Sequence, residues 1–297
     1  MKTKILQNIF LSLGVTFALA ITVHAQNLYV SVNGPLGPGN TDGSISEYTP
    51  SGMQITFTSG IPRPRGLAFD SGGNLFAGVT YQNPGVLHAK ILKFPLVGHV
   101  SVLGGASQSF AEGVVTDGAG NVFALVQDER SETLASIIYK FAPDGTRTIF
   151  GTTPGQSFDI AFDASGNLYA ADAGEMQTVY KFAPDGTRTV FAGPDAFPDG
   201  DPEGLAFDKN GNLFVSTEGD PGNDTILEFT PAGMETTFAT GLTQPRGLAF
   251  DSSGNLFVAE TLGAPLGDIL KFTPNGEGSV FATGIARPEF LAFGPAR

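Results

Sequence analysis

The chain has 297 residues, no Cys, and 29 acidic against 16 basic side chains, for a formal net charge of −13. That balance argues against nucleic acid, whose affinity is built on Lys and Arg contacts to phosphate, and against anionic membrane surfaces. Without Cys there is neither a disulfide framework nor a thiol nucleophile, so stability must come from apolar burial, for which the chain is long enough.

In chain order, Lys2 and Lys4 form a basic n-region, residues 5–23 are mostly apolar, and "VHA" ends at Ala25. This is the pattern of a secretory signal peptide cleaved after Ala25. The apolar run approaches the ~18–20 residues a membrane span needs, so an N-terminal anchor is the competing reading. Thr16, Thr22 and the Val-x-Ala ending point to cleavage. Removal of residues 1–25 takes away two Lys and leaves a net charge of −15. The expectation is a periplasmic or secreted monomer spanning 26–297, free of the membrane once cleaved.

A repeat then sets in. "DSGGNLFAG" from Asp70, "DGAGNVFAL" from Asp117, "DASGNLYAA" from Asp163, "DKNGNLFVS" from Asp208 and "DSSGNLFVAE" from Asp251 are copies of one phrase. A bare "NLYVS" opens the series at Asn27. Its Asn recurs at Asn74, Asn121, Asn167, Asn212 and Asn255, in steps of 47, 47, 46, 45 and 43. A second phrase alternates with it: "SEYTPSG" from Ser46, "LKFPLVG" from Leu92, "YKFAPDG" from Tyr139 and from Tyr180, "LEFTPAG" from Leu227 and "LKFTPNG" from Leu270. A period of this length means a solenoid, an array or a propeller.

One unit runs from Pro245. "RGLAFD" is a short strand and "DSSGN" a tight turn, its Asp accepting a backbone N–H and its Gly taking positive φ. "NLFVAE" and "DILKFT" are the second and third strands, "PNG" is a turn, and "GSVFATG" is the fourth strand. Pro and Gly interrupt the chain too often for a helical solenoid. The 25 Phe and the branched aliphatics fill both strand faces, as in four-stranded sheets packed face to face around an axis. The chain ends on "RPEFLAF", a first strand with nothing after it, while the opening unit lacks that strand. The strand around Leu291–Phe293 is therefore expected to complete the first sheet and close an all-β ring of six blades, leaving no exposed edge between blades.

"PRGLAFDSSGNLFVAET…ILKFTPNG" resembles the NHL repeat, and more broadly the six-bladed propellers that include the gluconolactonase and senescence-marker-protein family. The resemblance covers essentially the whole chain after residue 25. It implies an architecture; propellers host enzymes, binders and scaffolds alike.

The two turn phrases share one face of the disc. The opposite face carries variable connections, including 33–43, 80–89, 126–136, 193–202 and 217–224, and a functional site belongs there, around the central channel. The residue before "GLAF", or its equivalent, marks the channel mouth: Arg65, Glu112, Phe158, Glu203, Arg246 and Glu289. Closure puts Glu289 beside Arg65, so each Arg is expected between two Glu. Three readings stay open: a self-neutralising plug, a pocket in which Arg65 and Arg246 bind an anion or hydroxyls while the Glu accept hydrogen bonds, or a metal site.

Gluconolactonase-type enzymes hold one divalent cation at this mouth with a Glu, two Asn and an Asp. Carried over by position, the resemblance implies carboxylates from Glu112, Glu203 and Glu289. No mouth position is Asn and two are Arg. A second channel layer is expected at Val32, Val79, Val126, Asp172, Thr217 and Glu260. Asp172, Glu203 and Glu218, with loop acids Asp195, Asp199, Asp201, Asp220 and Asp224, are either a solvated acidic rim or the alternative Ca²⁺ site, since Ca²⁺ takes six to eight oxygens, often from flexible acidic loops. The Asp of the five Asp-x-x-Gly-Asn turns are expected to be turn formers. His88 in a loop and His99 in an outer turn lie away from the mouth, which disfavours a Ser-His-Asp triad or a His-based zinc site. The reading is a non-catalytic module that binds a protein, a glycan or a small ligand on the variable face. The alternative is a calcium-dependent lactone hydrolase.

Overall fold

The computed structural model describes residues 26–33, 42–83, 85–132, 135–174, 176–219, 222–261 and 266–294. The expected signal segment and Asp220 lie outside them. Six four-stranded antiparallel sheets are arranged as blades around an axis, and the only helical turn among the described residues is a 3₁₀ turn at Pro194–Ala196. Blade one combines β1 (Leu28–Val32), β2 (Gly43–Tyr48) and β3 (Gln54–Ile61) with β24 (Pro288–Phe293). Blades two to six span 64–107, 109–153, 157–192, 200–242 and 245–285.

The C-terminal strand closes the ring, as the unmatched half-repeats required. Leu28 pairs with Phe293, Tyr29 with Ala292 and Val30 with Leu291. The Gly294 N–H donates to the Asn27 carbonyl at 2.9 Å and the Phe290 N–H to Ser31 Oγ at 2.9 Å. The innermost strand of blade one is thus supplied by the far end of the chain.

The recurrence of "LAFD" and "NLF" has a packing cause. The aromatic after Asn-Leu in one blade meets the Phe of "AF" in the next edge to face: Tyr29–Phe69 at 4.9 Å, Phe123–Phe162, Tyr169–Phe207 and Phe214–Phe250 at 5.0 Å, and Phe257–Phe293 at 5.1 Å. Each such pair adds about 0.5–1.5 kcal/mol beyond its buried area. Five of the six interfaces carry it; at the sixth, Thr116 replaces Phe and donates to the Phe69 carbonyl at 2.7 Å. Six apolar clusters, one in each gap between neighbouring blades, form the core.

The Asp-x-x-Gly-Asn turns behave as their composition dictates. In all five, one carboxylate oxygen accepts the Asn backbone N–H and the other its side-chain amide, as for Asp251 and Asn255 at 2.8 and 2.7 Å. These carboxylates are occupied by their own turns.

One connection departs from expectation. Residues 80–83 and 86–89 are strand and not loop; the hairpin ladder continues through Thr80–Ala89, Tyr81–His88 and Gln82–Leu87. His88 therefore sits on a strand, its ring stacked on Tyr81 at 5.1 Å, with Lys90 Nζ 4.1 Å from the Tyr81 ring centroid. Aromatic stacking and a cation–π contact hold the extended hairpin.

Candidate functional site: the channel mouth

In every blade the pairing of the innermost strand with the second breaks register at the mouth residue, between Pro64 and Leu67 in blade two and between Pro202 and Leu205 in blade five. Such a bulge frees a residue from the ladder and re-aims its side chain. The Gly that follows is required by close approach. A Cβ on Gly66 would stand 2.4 Å from the Glu112 carbonyl oxygen, and one on Gly204 would clash with the Arg246 carbonyl in the next blade. Mouth residue and Gly therefore travel together in "RG" and "EG".

The mouth is an ion-pair ring in two halves. Arg65 Nε lies 2.8 Å from Glu112 Oε2 and Arg65 Nη1 lies 3.1 Å from Glu289 Oε2. Arg246 Nη1 lies 2.6 Å from Glu203 Oε2 and Nη2 lies 2.6 Å from Glu218 Oε2. Arg65 sits between the two Glu expected for it. Arg246 does not: its second partner is Glu218, at the end of a second strand, and not Glu289. Phe158 joins the halves, with the Arg65 and Arg246 guanidinium carbons 5.7 and 5.9 Å from its ring centroid. Both Arg side chains are largely shielded, at 17% and 19% exposure.

Burial acts on these charges. It pushes Glu112 up to about 7 and Glu203 up to about 8, outweighing the guanidinium beside each. Arg246 is also buried, which opposes its charge, but Glu203, Glu218 and Glu289 more than compensate and hold it above its ordinary range. Asp159, next to Phe158, was not legible as a site residue. It occupies the position that is Gly in four other blades, and it staples blade four to blade five: one oxygen accepts the Leu205 N–H at 2.9 Å, the other the Ile160 N–H at 2.8 Å. Desolvation pushes it up to about 7.

The second layer lies one residue further on than expected. Asn33, Thr80 and Gln127 line the mouth cavity, together with Arg63, Arg65, Phe110, Ala111, Glu112, Gln156, Phe158 and Arg287. Val32, Val79 and Val126 do not; they are buried core. Successive strand residues face opposite ways, so an offset of one exchanges the faces. Asp172 and Glu260 share that offset and serve as loop fasteners. Asp172 accepts the Gly155 and Gly174 N–H groups at 3.0 and 3.1 Å, and Glu260 accepts the Thr243 N–H.

The set Asp172, Glu203 and Glu218 is accordingly not brought together as metal ligands. Asp172 is spent on backbone, and the two Glu are turned onto Arg246. Among the described residues no group of three or more His, Cys, Asp or Glu is placed to hold a metal ion. Two guanidinium groups at the mouth oppose a divalent cation there, so the residues do not fit the cation that the lactonase resemblance implies. Of the loop acids, Asp201 accepts the Gln177 side-chain amide at 2.8 Å, and Asp224 accepts the Gly219 and Gln244 N–H groups at 2.7 Å.

No protein-family model matches the chain, and no curated protein sequence does. Solved structures do. TolB from Acinetobacter baumannii is similar at a TM-score of 0.70 and 11% identity, over 91% of this chain and 67% of that one. A luciferin-regenerating enzyme gives a TM-score of 0.63 at 14% identity, over 90% of this chain and 92% of that one. A gluconolactonase from Xanthomonas campestris gives 0.56 at 17% identity, over 76% and 78%. At these identities the likeness is one of fold: a six-bladed propeller shared with gluconolactonase-like and TolB-type proteins. No helix among the described residues is long and apolar enough to cross a membrane.

Proposed function

We propose that this chain is a non-catalytic binding propeller, exported by its N-terminal segment, that takes a small polar ligand at the channel mouth on its variable face. The observation that carries this reading is the mouth itself. Arg65 and Arg246 are shielded, ion-paired and braced on Phe158, and Arg65, Phe158 and Glu112 line a cavity of about 200 Å³ together with amide, hydroxyl and further guanidinium groups. A few convergent polar groups in a concave site are what orient a ligand. His88 and His99 stand away from the mouth. The same face, with its variable connections, is also where a glycan or a protein partner would dock. Association as a monomer belongs to the same reading.

The alternative, a calcium-dependent lactone hydrolase, draws only on the likeness to gluconolactonase. One thermal-shift screen separates the two. Sugars, organic acids, lactones and divalent ions are tested against the full chain after residue 25, since a ligand at a hundredfold excess over Kd stabilises by about 2.7 kcal/mol. Stabilisation by a small organic molecule, with none by calcium and no lactone hydrolysis, supports the binding module. Calcium stabilisation with metal-dependent lactone hydrolysis, both lost in Glu203→Gln, overturns it.

A further inference from the structure

The mouth cavity is electrically one-sided. Three guanidinium groups line or border it, Arg63, Arg65 and Arg287, against two carboxylates, Glu112 and Glu289. Arg65 is engaged by both carboxylates. Arg287 reaches only Glu289 Oε1, at 3.7 Å. Arg63 has no ion-pair partner among the described residues. Its charge acts on Glu112 from a distance without closing an ion pair.

Backbone geometry points the same way. Arg63 and Arg287 hold φ of 40° and 53°, in the left-handed region that residues other than Gly enter rarely. Both precede a Pro that opens an innermost strand, Pro64 and Pro288. Gln244, before Pro245, repeats the conformation at φ 50°. Non-glycine residues kept in such conformations cluster at ligand clamps.

A third observation concerns acceptors. Asn33 Oδ1 is buried in this region without a hydrogen-bond partner among the described residues, while Glu112 Oε2 is held by Arg65 Nε at 2.8 Å. Buried polar atoms are nearly always satisfied, and each exception calls for an explanation. The cavity thus presents surplus positive charge beside an acceptor lacking a donor. At about 200 Å³ it has room for a small molecule.

Resting on the small-ligand reading above, we infer that this cavity is a subsite for a small monocarboxylate bearing a hydroxyl beside its carboxylate, with Arg63 and Arg287 receiving the carboxylate and Asn33 Oδ1 accepting from the hydroxyl. The charge count selects the class. Guanidiniums outnumber carboxylates around the cavity, a positive surplus that an anion offsets and a zwitterionic amino acid does not. Arg is the side chain suited to carboxylates because its planar fork donates two parallel N–H bonds.

Isothermal titration of the full chain after residue 25 at low ionic strength tests this with four small probes: lactate, propanoate, alanine and methyl lactate. Lactate is expected to bind, and propanoate about tenfold more weakly for want of one hydrogen bond to a buried acceptor. Alanine and the uncharged ester are expected to bind more weakly still. Arg63→Gln should lose at least the same factor for lactate. Gln244 already occupies the equivalent backbone conformation, so this change removes charge without altering the fold, which an unchanged Tm verifies. Arg130→Gln, which removes the same charge from an exposed pair, should leave lactate affinity as it is. Equal binding of lactate and methyl lactate, or lactate binding unaffected by Arg63→Gln, overturns the inference. If a neutral polyol such as xylitol binds and no carboxylate does, the small-ligand reading stands and the inference falls. If nothing in the wider screen binds, both fall.

Discussion

Arg246 is gripped by Glu203, which reaches its Nη1 at 2.6 Å from 43 residues away in the sequence. Glu218 holds the other terminal nitrogen at 2.6 Å. The guanidinium is held at both terminal nitrogens and faces Phe158. Removing it leaves two carboxylates without a partner, one of them deeply buried. Arg246→Ala should therefore lower stability by about 3 kcal/mol, read from urea unfolding of wild type and variant. Arg130→Ala, whose pair with Asp128 is solvent-exposed, should leave the midpoint where it is. Equal effects of the two changes would show that the mouth ring contributes no more than a surface pair.

Closure of the ring makes a separate prediction. Deleting residues 286–297 removes the innermost strand of blade one and strips Phe257 of Phe293 and Tyr29 of its strand neighbour. Loss of that apolar burial at ~25 cal/mol per Å² should reduce stability by several kcal/mol and expose β1 as an unpaired edge. A truncated chain that melts with the full-length midpoint would mean the blades do not depend on this seam.

Three buried carboxyls, Glu112, Asp159 and Glu203, stand at about 7, 7 and 8 against ordinary values of 4.5, 3.8 and 4.5. Each binds its proton more tightly folded than unfolded. Their contribution is fully present below about pH 4 and is lost as pH rises through 7 to 8. Melting temperature should accordingly decline between about pH 5 and 8.5. Glu203→Gln, which cannot ionise, should flatten the upper part of that decline. A melting temperature that climbs steadily from pH 5 to 8.5 would show that these carboxyls are ionised at little cost in the fold.

Export is decided at the N-terminus. Material from the source organism should begin at Gln26 on N-terminal sequencing and be recovered outside the cytoplasmic membrane. Intact Lys2 in an integral-membrane fraction would favour the anchor.

Sequence alone determined the architecture. Six copies of an Asn-led phrase, each preceded or followed by a Gly turn, and two half-repeats at the ends sufficed, because turn chemistry is local and a repeat that covers both sheet faces has few ways to pack. It also placed Arg65, Glu112, Phe158, Glu203, Arg246 and Glu289 at one level, since equivalent positions of a repeat lie at equivalent heights. Tertiary structure decided what those residues touch. Arg65 meets Glu289 across 224 residues, Arg246 chooses Glu218 over Glu289, and the layer behind them is Asn33, Thr80 and Gln127 in place of the Val before each. Arg63, Arg287 and Asp159 came into view only with the folded chain. A bulge at each mouth position and a side-chain period of two make direction depend on a single residue of register, and register is set by the neighbouring blade and not by the phrase itself.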